Sequence, residues 1–333
     1  MRKIVDQNGK LVYGNFEDAF DYINLLEAKR ALGYKAPKFW KNFRLKEWEA
    51  FQLGNKDYFI LGALYNTKVF GMIYISILNK KTNEIVVFER DFPAFLLKSN
   101  NSINDSVFEH NGKDYYIKFI NQINKNKLSI ELSIPYKEKG ISVKLNAKIE
   151  LPASTICHPF YKNRGVYSYK NMCFAEGIIE INGEKNEFYK NDSVLIIDDH
   201  KGYYPWDLKY DWVTGYKIDE KGQIIGFNLT HNQVENSEKN NENRLWINGK
   251  INYLPPITVK YSGENWIIKD SKDRINLVFN KSNETTKKKN YGIMYVDYTA
   301  PMGSFEGFIV DDNGNKIICD NCFGMGERKR YRI

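Results

Sequence analysis

Between Phe43 and Phe92 the chain repeats one pattern four times. FRLKEWEAFQLG, DYFILGALYN, VFGMIYISILN and EIVVFERDF follow one another at a spacing of roughly ten residues, each closed by Gly, Asn or Asp. That rhythm points to an antiparallel meander, as in barrels and sandwiches. The pattern continues through Asp114–Ile120, Leu128–Ile134 and Val143–Leu151. It resumes after a Pro- and Gly-containing joint at Pro152–Lys170, with Ala175–Ile181 and Lys185–Tyr189 about Asn182-Gly183. Asn248-Gly249, between Arg244–Ile247 and Lys250–Leu254, is a second hairpin turn signal. The expectation is an all-β protein of two β-rich halves, 1–152 and 153–333. One helix is expected over Asn15–Leu32, with Asn15 as cap, acids in the first turn and Gly33 as stop.

Aromatic residues make up 15% of the chain, from 23 Tyr, 20 Phe and 6 Trp. They suit strands, and they also line pockets for flat apolar ligands or sugars. They concentrate in Val194–Thr214, VLIIDDHKGYYPWDLKYDWVT. This stretch opens as a buried apolar strand and then places Asp198, Asp199, His200 and Lys201 in sequence. Next, Tyr204, Trp206, Leu208, Tyr210 and Trp212 fall on one parity, with Asp207, Lys209 and Asp211 on the other. A carboxylate pressed against rings is desolvated and its pKa raised, which suits a general acid. A histidine titrates near neutrality. The plain alternative is a polar turn whose Asp side chains cap backbone amides.

On the following strand Gly226, Asn228 and Thr230 alternate with Ile225, Phe227 and Leu229. The register decides which set shares a face with the rings. His158, His200 and His231 are too scattered in sequence to argue for a metal site, and Cys319–Cys322 is one CxxC without the partners that zinc needs. No metal and no cofactor are expected, since dinucleotide, P-loop, nucleophile-elbow and HExxH patterns are all absent.

The formal charge is +8, but the lysines are spread along the chain, so no nucleic-acid partner is expected. No apolar run is long enough to span a membrane and the N-terminus lacks a signal-peptide core, so the expectation is a cytoplasmic protein. The sequence does not indicate an oligomeric state.

Several segments, in order, resemble a bacterial family known as a domain of unknown function (number twenty-eight-oh-four). They are FRLKEWEAF with Lys46 and Trp48, TICHPFYKNRGVYSYKNMCFAEGIIEINGEKNEF, DDHKG, the Tyr210-x-Trp212 strand, GFNL, WINGK and CFGMGE. DDHKGYYP stands where the family pattern has a Trp-Gly-Arg-Gly-like turn, and Tyr210 where Trp is common. The family is distantly similar to two-domain lipocalin-like proteins that include carotenoid hydratases and cyclases of polyketide-derived substrates. The resemblance implies two tandem lipocalin-like barrels.

Residues and resemblance together give the leading expectation of a cofactor-free protein that binds a small, largely apolar molecule of isoprenoid or polyketide type. It would hydrate, isomerise or cyclise that molecule by acid–base chemistry. Asp199 is the expected proton donor, with His200 or Tyr204 as partner and Asp198 beside them. Trp206 and Trp212 would stack on the ligand. Tyr210, Asn228, Thr230, His231 and Trp48 complete the expected binding set, in a pocket in or near the second half. Two alternatives are a carbohydrate-active enzyme using paired carboxylates and a non-catalytic carrier.

Overall fold

The computed structural model describes residues 1–290, 292 and 295–332. The chain forms two compact units. The first holds Met1–Lys81, Ile85–Cys157 and Asn163–Tyr203; the second holds Thr82–Glu84, His158–Lys162 and the chain from Tyr204 onward. Each is built on one curled antiparallel sheet, giving the tandem lipocalin-like, all-β architecture.

The first sheet contains β1 (Gly14–Phe16), β2 (Lys46–Gly54), β3 (Tyr58–Asn66), β4 (Phe70–Asn79), β5 (Glu84–Pro93), β6 (Ser106–Asn111) and β7 (Tyr116–Gln122). It continues with β8 (Lys127–Ile134), β9 (Ile141–Lys148), β10 (Ser154–Phe160), β11 (Arg164–Ile181), β12 (Glu184–Phe188) and β13 (Val194–Gly202). The order is β5-β4-β3-β2-β13-β11-β9-β8-β7-β6, with β10 and β12 also paired to β11 and β1 paired to β10. Two meanders are therefore joined through β13 and β11. β11 runs for 18 residues and pairs with β9, β12 and β13, so this sheet continues past residue 152.

The second sheet contains β14 (Asp207–Ile218), β15 (Ile224–His231), β16 (Arg244–Ile247), β17 (Lys250–Tyr253) and β18 (Ile257–Ser262). It is completed by β19 (Asn265–Asp270), β20 (Ile275–Asn290), β21 (Tyr295–Val310), β22 (Lys316–Ile318) and β23 (Cys322–Arg332). Its order is β17-β16-β15-β14-β23-β21-β20-β19-β18. Asn182-Gly183 and Asn248-Gly249 both turn with two positive φ angles, the type I′ geometry that matches strand twist. Gly324 lets β23 lie close to β14, because a Cβ there would strike the Thr214 carbonyl oxygen.

The helix expected over Asn15–Leu32 does not form. Gly14–Phe16 pairs with β10 instead, and the rest is turns with one 3-10 turn at Leu25–Glu27. The apolar residues of that stretch are still buried: Phe20, Ile23, Leu25, Ala28, Ala31 and Leu32 all belong to the first unit's core. Asn24 fixes the turn by bonding both backbone groups of Val5. Packing of these turns on the first unit's core gave the residues their burial without helical spacing, so tertiary packing overrode propensity. Among the described residues the α-helix is α1 (Lys38–Arg44), entered through Pro37.

Each sheet packs an apolar core on one face. Phe51, Leu195, Ile197, Tyr167 and Tyr169 mark it in the first unit, and Val213, Phe227, Leu229, Phe305 and Trp266 in the second. Alternation then commits the intervening residues to the opposite face. No helix among the described residues is long and apolar enough to cross a membrane.

Candidate functional site

Strand β13 lies between β2 and β11, and its register fixes the site. Asp198 stands opposite Lys170 on β11 and Ala50 on β2; His200 stands opposite Ser168 and Trp48. Opposed residues share a face, so Asp198, His200, Lys170 and Trp48 form one cluster on the face away from the core. Lys170 Nζ lies 2.6 Å from Asp198 Oδ1 and 2.8 Å from His200 Nε2, and His200 Nε2 lies 2.9 Å from the same carboxylate oxygen. The His200 ring stacks on Trp48 at 4.6 Å and 13°, and Tyr65 tilts against Trp48 at 6.1 Å. All three charged residues are buried. Burial alone would raise the Asp198 pKa, but the charges and hydrogen bonds of His200 and Lys170 outweigh it. They hold the carboxyl well below the usual carboxylate range.

The geometry limits the proton arrangements. One imidazole nitrogen cannot both accept from an ammonium and donate to a carboxylate. When Nε2 accepts from a charged Lys170, the imidazole proton sits on Nδ1; when Nε2 carries the proton, it donates to Asp198. The cluster is a Lys–His–Asp contact with an aromatic plate under the imidazole.

Asp199 faces the other way, into the core. It is the direct cross-strand partner of Glu49, and Lys201 is that of Glu47. Asn121 Nδ2 donates to Glu49 Oε1 at 2.7 Å, while Glu47 is bonded by Lys68 and Ser99 and lies 3.7 Å from Lys201. Burial, then the neighbouring Asp199 charge, pushes Glu49 up to about 8. Burial likewise pushes Asp199 up to about 6, against the pull of Lys201 and His200. The recess beside this pair, lined by Ser99, Ile103 and Phe108 among others, has a volume of about 10 Å³, about enough for one water.

In the second unit Trp212 stands opposite Thr230, and Thr214 opposite Asn228. Asn228 and Thr230 therefore share the face of the rings, opposite Val213 and Phe227 of the core. Trp212 Nε1 donates to Asn228 Oδ1 at 2.6 Å. On the same face the hydroxyls of Tyr210 and Tyr298 donate to Glu327 at 2.7 and 2.6 Å, and Lys329 Nζ lies 4.9–5.3 Å from the rings of Tyr210, Tyr298 and Tyr331. His231 is largely exposed at the strand end, 3.8 Å from Asp211. Trp206 precedes β14 and is 44% exposed. Tyr204 is buried edge-on to Phe160.

The structure thus groups Asp198, His200 and Trp48, sets Asp199 behind them on the opposite face, and places Tyr204, Trp206, Tyr210, Trp212, Asn228, Thr230 and His231 in the second unit. Sequence reasoning missed Lys170, Glu49 and Lys329. Lys170 carried a usable signal, because in VYSYKNM it shares a parity with Ser168 while Tyr167 and Tyr169 take the other. Glu49 carried one too, as every second residue of KEWEAF. His158 is buried, and desolvation pushes its pKa down to about 3, as for a structural histidine. Among the described residues no three His, Cys, Asp or Glu side chains converge as a metal-ligand set, and the four cysteines are buried free thiols.

Comparison with known proteins agrees with this architecture. The chain is similar in fold to kievitone hydratase from Nectria haematococca, with 14% identity, a TM-score of 0.52 and coverage of 86% of this chain and 88% of that one. It is similar to a putative AttH from Nitrosomonas europaea, at 9% identity and a TM-score of 0.53, covering 86% and 92%. The third similarity is to CghA, at 9% identity and a TM-score of 0.50, covering 87% and 88%. No curated protein sequence matches the chain. With the family model for the domain of unknown function DUF2804 matching residues 2–333, the chain belongs to that family.

Proposed function

We propose that the protein is a cofactor-independent acid–base enzyme acting on a small, largely apolar molecule, and that it adds or removes water or moves a double bond. The observation that carries this reading is the Lys170–Asp198–His200 cluster stacked on Trp48. A hydration would run as a relay. His200 Nδ1 gives its proton to one alkene carbon, Nε2 takes a proton from Lys170, and the developing cation lies against the indole face. A water then adds to the cationic carbon, and the proton it loses returns through the imidazole to Lys170. Asp198 stays ionised and keeps the relay in place. The surroundings on that face, Ala50, Met172, Ile196, Tyr65 and Tyr74, suit an apolar ligand. One fold neighbour is named as a hydratase, which supports water addition as the reaction class.

A plain carrier would have no need of buried ionisable groups, and both units hold them. For the carbohydrate alternative the candidate pair is Glu49–Asp199, and its recess has no room for a sugar ring. The test is to identify the co-purifying or turned-over ligand and then to measure His200→Asn. We expect a loss of about 10²–10⁴-fold in turnover, the range for one acid–base group. Wild-type turnover in that variant would end the assignment.

A further inference from the structure

We infer that Glu49 and Asp199 hold one proton between them, over a single internal water, as a buried proton-sharing pair on the core face of the first sheet. They are direct cross-strand partners, which sets their Cβ atoms about 4.5–5.5 Å apart. Both are nearly fully buried, at 4% and 6% exposure. Tyr167, fully buried on β11, turns its hydroxyl toward the pair. That hydroxyl makes no hydrogen bond of ordinary geometry within the chain. The adjoining recess has room for about one water. A water there would have both carboxyls as partners, since Glu49 and Asp199 both line the recess.

The charges facing the pair point the same way. Glu47 and Glu49 project from β2, and Asp199 and Lys201 from β13; Lys68 reaches in beside Glu47. Three carboxyls thus meet two ammonium groups, and Glu47 engages both of the latter. Tyr167 and Tyr169 on β11, Tyr203 after β13, Asn121 on β7 and Ser99 are neutral. Across the strand Asp198 repels and His200 attracts an Asp199 charge. One proton on the pair restores neutrality, and the protonated carboxyl can donate to the ionised one.

Both carboxyl pKa values are raised by burial, so the folded chain keeps a proton that the unfolded chain loses above the ordinary carboxylate range. The stabilisation is complete at acid pH and is lost as pH rises through about 6 to 8. Mild alkali would therefore loosen the β2–β13 pairing.

The experiment is a carboxyl ¹³C NMR titration of the full-length protein, labelled at Asp and Glu. We expect the two signals to move at neutral to alkaline pH, and Glu49→Gln to return Asp199 toward the acid side by more than about one pH unit. If every carboxyl titrates below about pH 5.5, the inference is overturned. A midpoint that shifts tenfold when choline replaces sodium would assign the site to a cation and overturn it as well. Should Glu49→Gln not fold, the infrared carbonyl band of a protonated carboxyl decides on wild-type protein. Its presence at neutral pH and loss in alkali is expected, and its absence at neutral pH contradicts the shared proton.

Discussion

Asp198 and Asp199 are neighbours in the chain, both buried, and the sheet sends them to opposite sides. Asp198 meets Lys170 and His200 within hydrogen-bond distance and is held ionised. Asp199 meets another carboxyl, and the two are short of positive charge. The first side has aromatic and apolar neighbours outside the core, while the second is set within the packed core. A ligand-handling surface and a proton-holding interior can therefore be built on one strand, because alternation gives the two sides different partners.

The contrast breaks most visibly if one acid is removed at a time. Asp198→Ala should cost about 3–5 kcal/mol in urea unfolding at neutral pH, because it leaves buried Lys170 without its counter-charge. Asp199→Asn should cost well under half as much, since it removes a repulsion along with a hydrogen-bonding site. Equal losses would show that the two sides are not electrostatically distinct.

The second prediction is a pair of opposite pH limbs. Asp198 has a lowered pKa, so its contribution is present above the ordinary carboxylate range and lost as pH falls below it. The Glu49–Asp199 contribution is lost as pH rises. Wild-type stability should fall on both sides of weak acidity. Asp198→Asn should flatten only the acid limb and Glu49→Gln only the alkaline one. Chemical unfolding at a series of pH values reads both.

Smaller effects are expected in the second unit. Trp212→Phe removes the bond to Asn228 and leaves a buried amide oxygen short of a donor, for about 1–2 kcal/mol. Trp206→Ala, at an exposed position before β14, should stay within about 0.5 kcal/mol by thermal unfolding. A larger loss there would mean that the ring is held by a contact other than solvent.

Much of the architecture was legible. The four-fold strand rhythm and both Asn-Gly hairpins follow from turn chemistry and parity, whereas the face that Asn228 and Thr230 share with Tyr210 and Trp212 was decided by the register. The N-terminal segment was not, because its apolar spacing was compatible with a helix and only pairing with β10 decided otherwise. At the site, Asp198 and His200 were visible as a motif. Their partner Lys170 lies 28 and 30 residues earlier in the chain, so only the strand order brings it to them. Asp199 was visible as a candidate acid. Its partner Glu49 depended on β13 pairing with β2, a long-range contact that no local pattern encodes. Parity identifies which residues of a strand share a face; the order of strands in the sheet identifies what they meet.

The central claim is that His200, held through Nε2 by the Lys170 that Asp198 pairs, exchanges a proton with a small apolar ligand. The most direct test is native mass spectrometry with denaturing extraction, comparing wild-type protein with His200→Asn. The account predicts an apolar molecule in both, differing by the mass of one water, or by its double-bond position on further spectroscopy. A bound oligosaccharide, or an identical reacted molecule in both proteins, would contradict it.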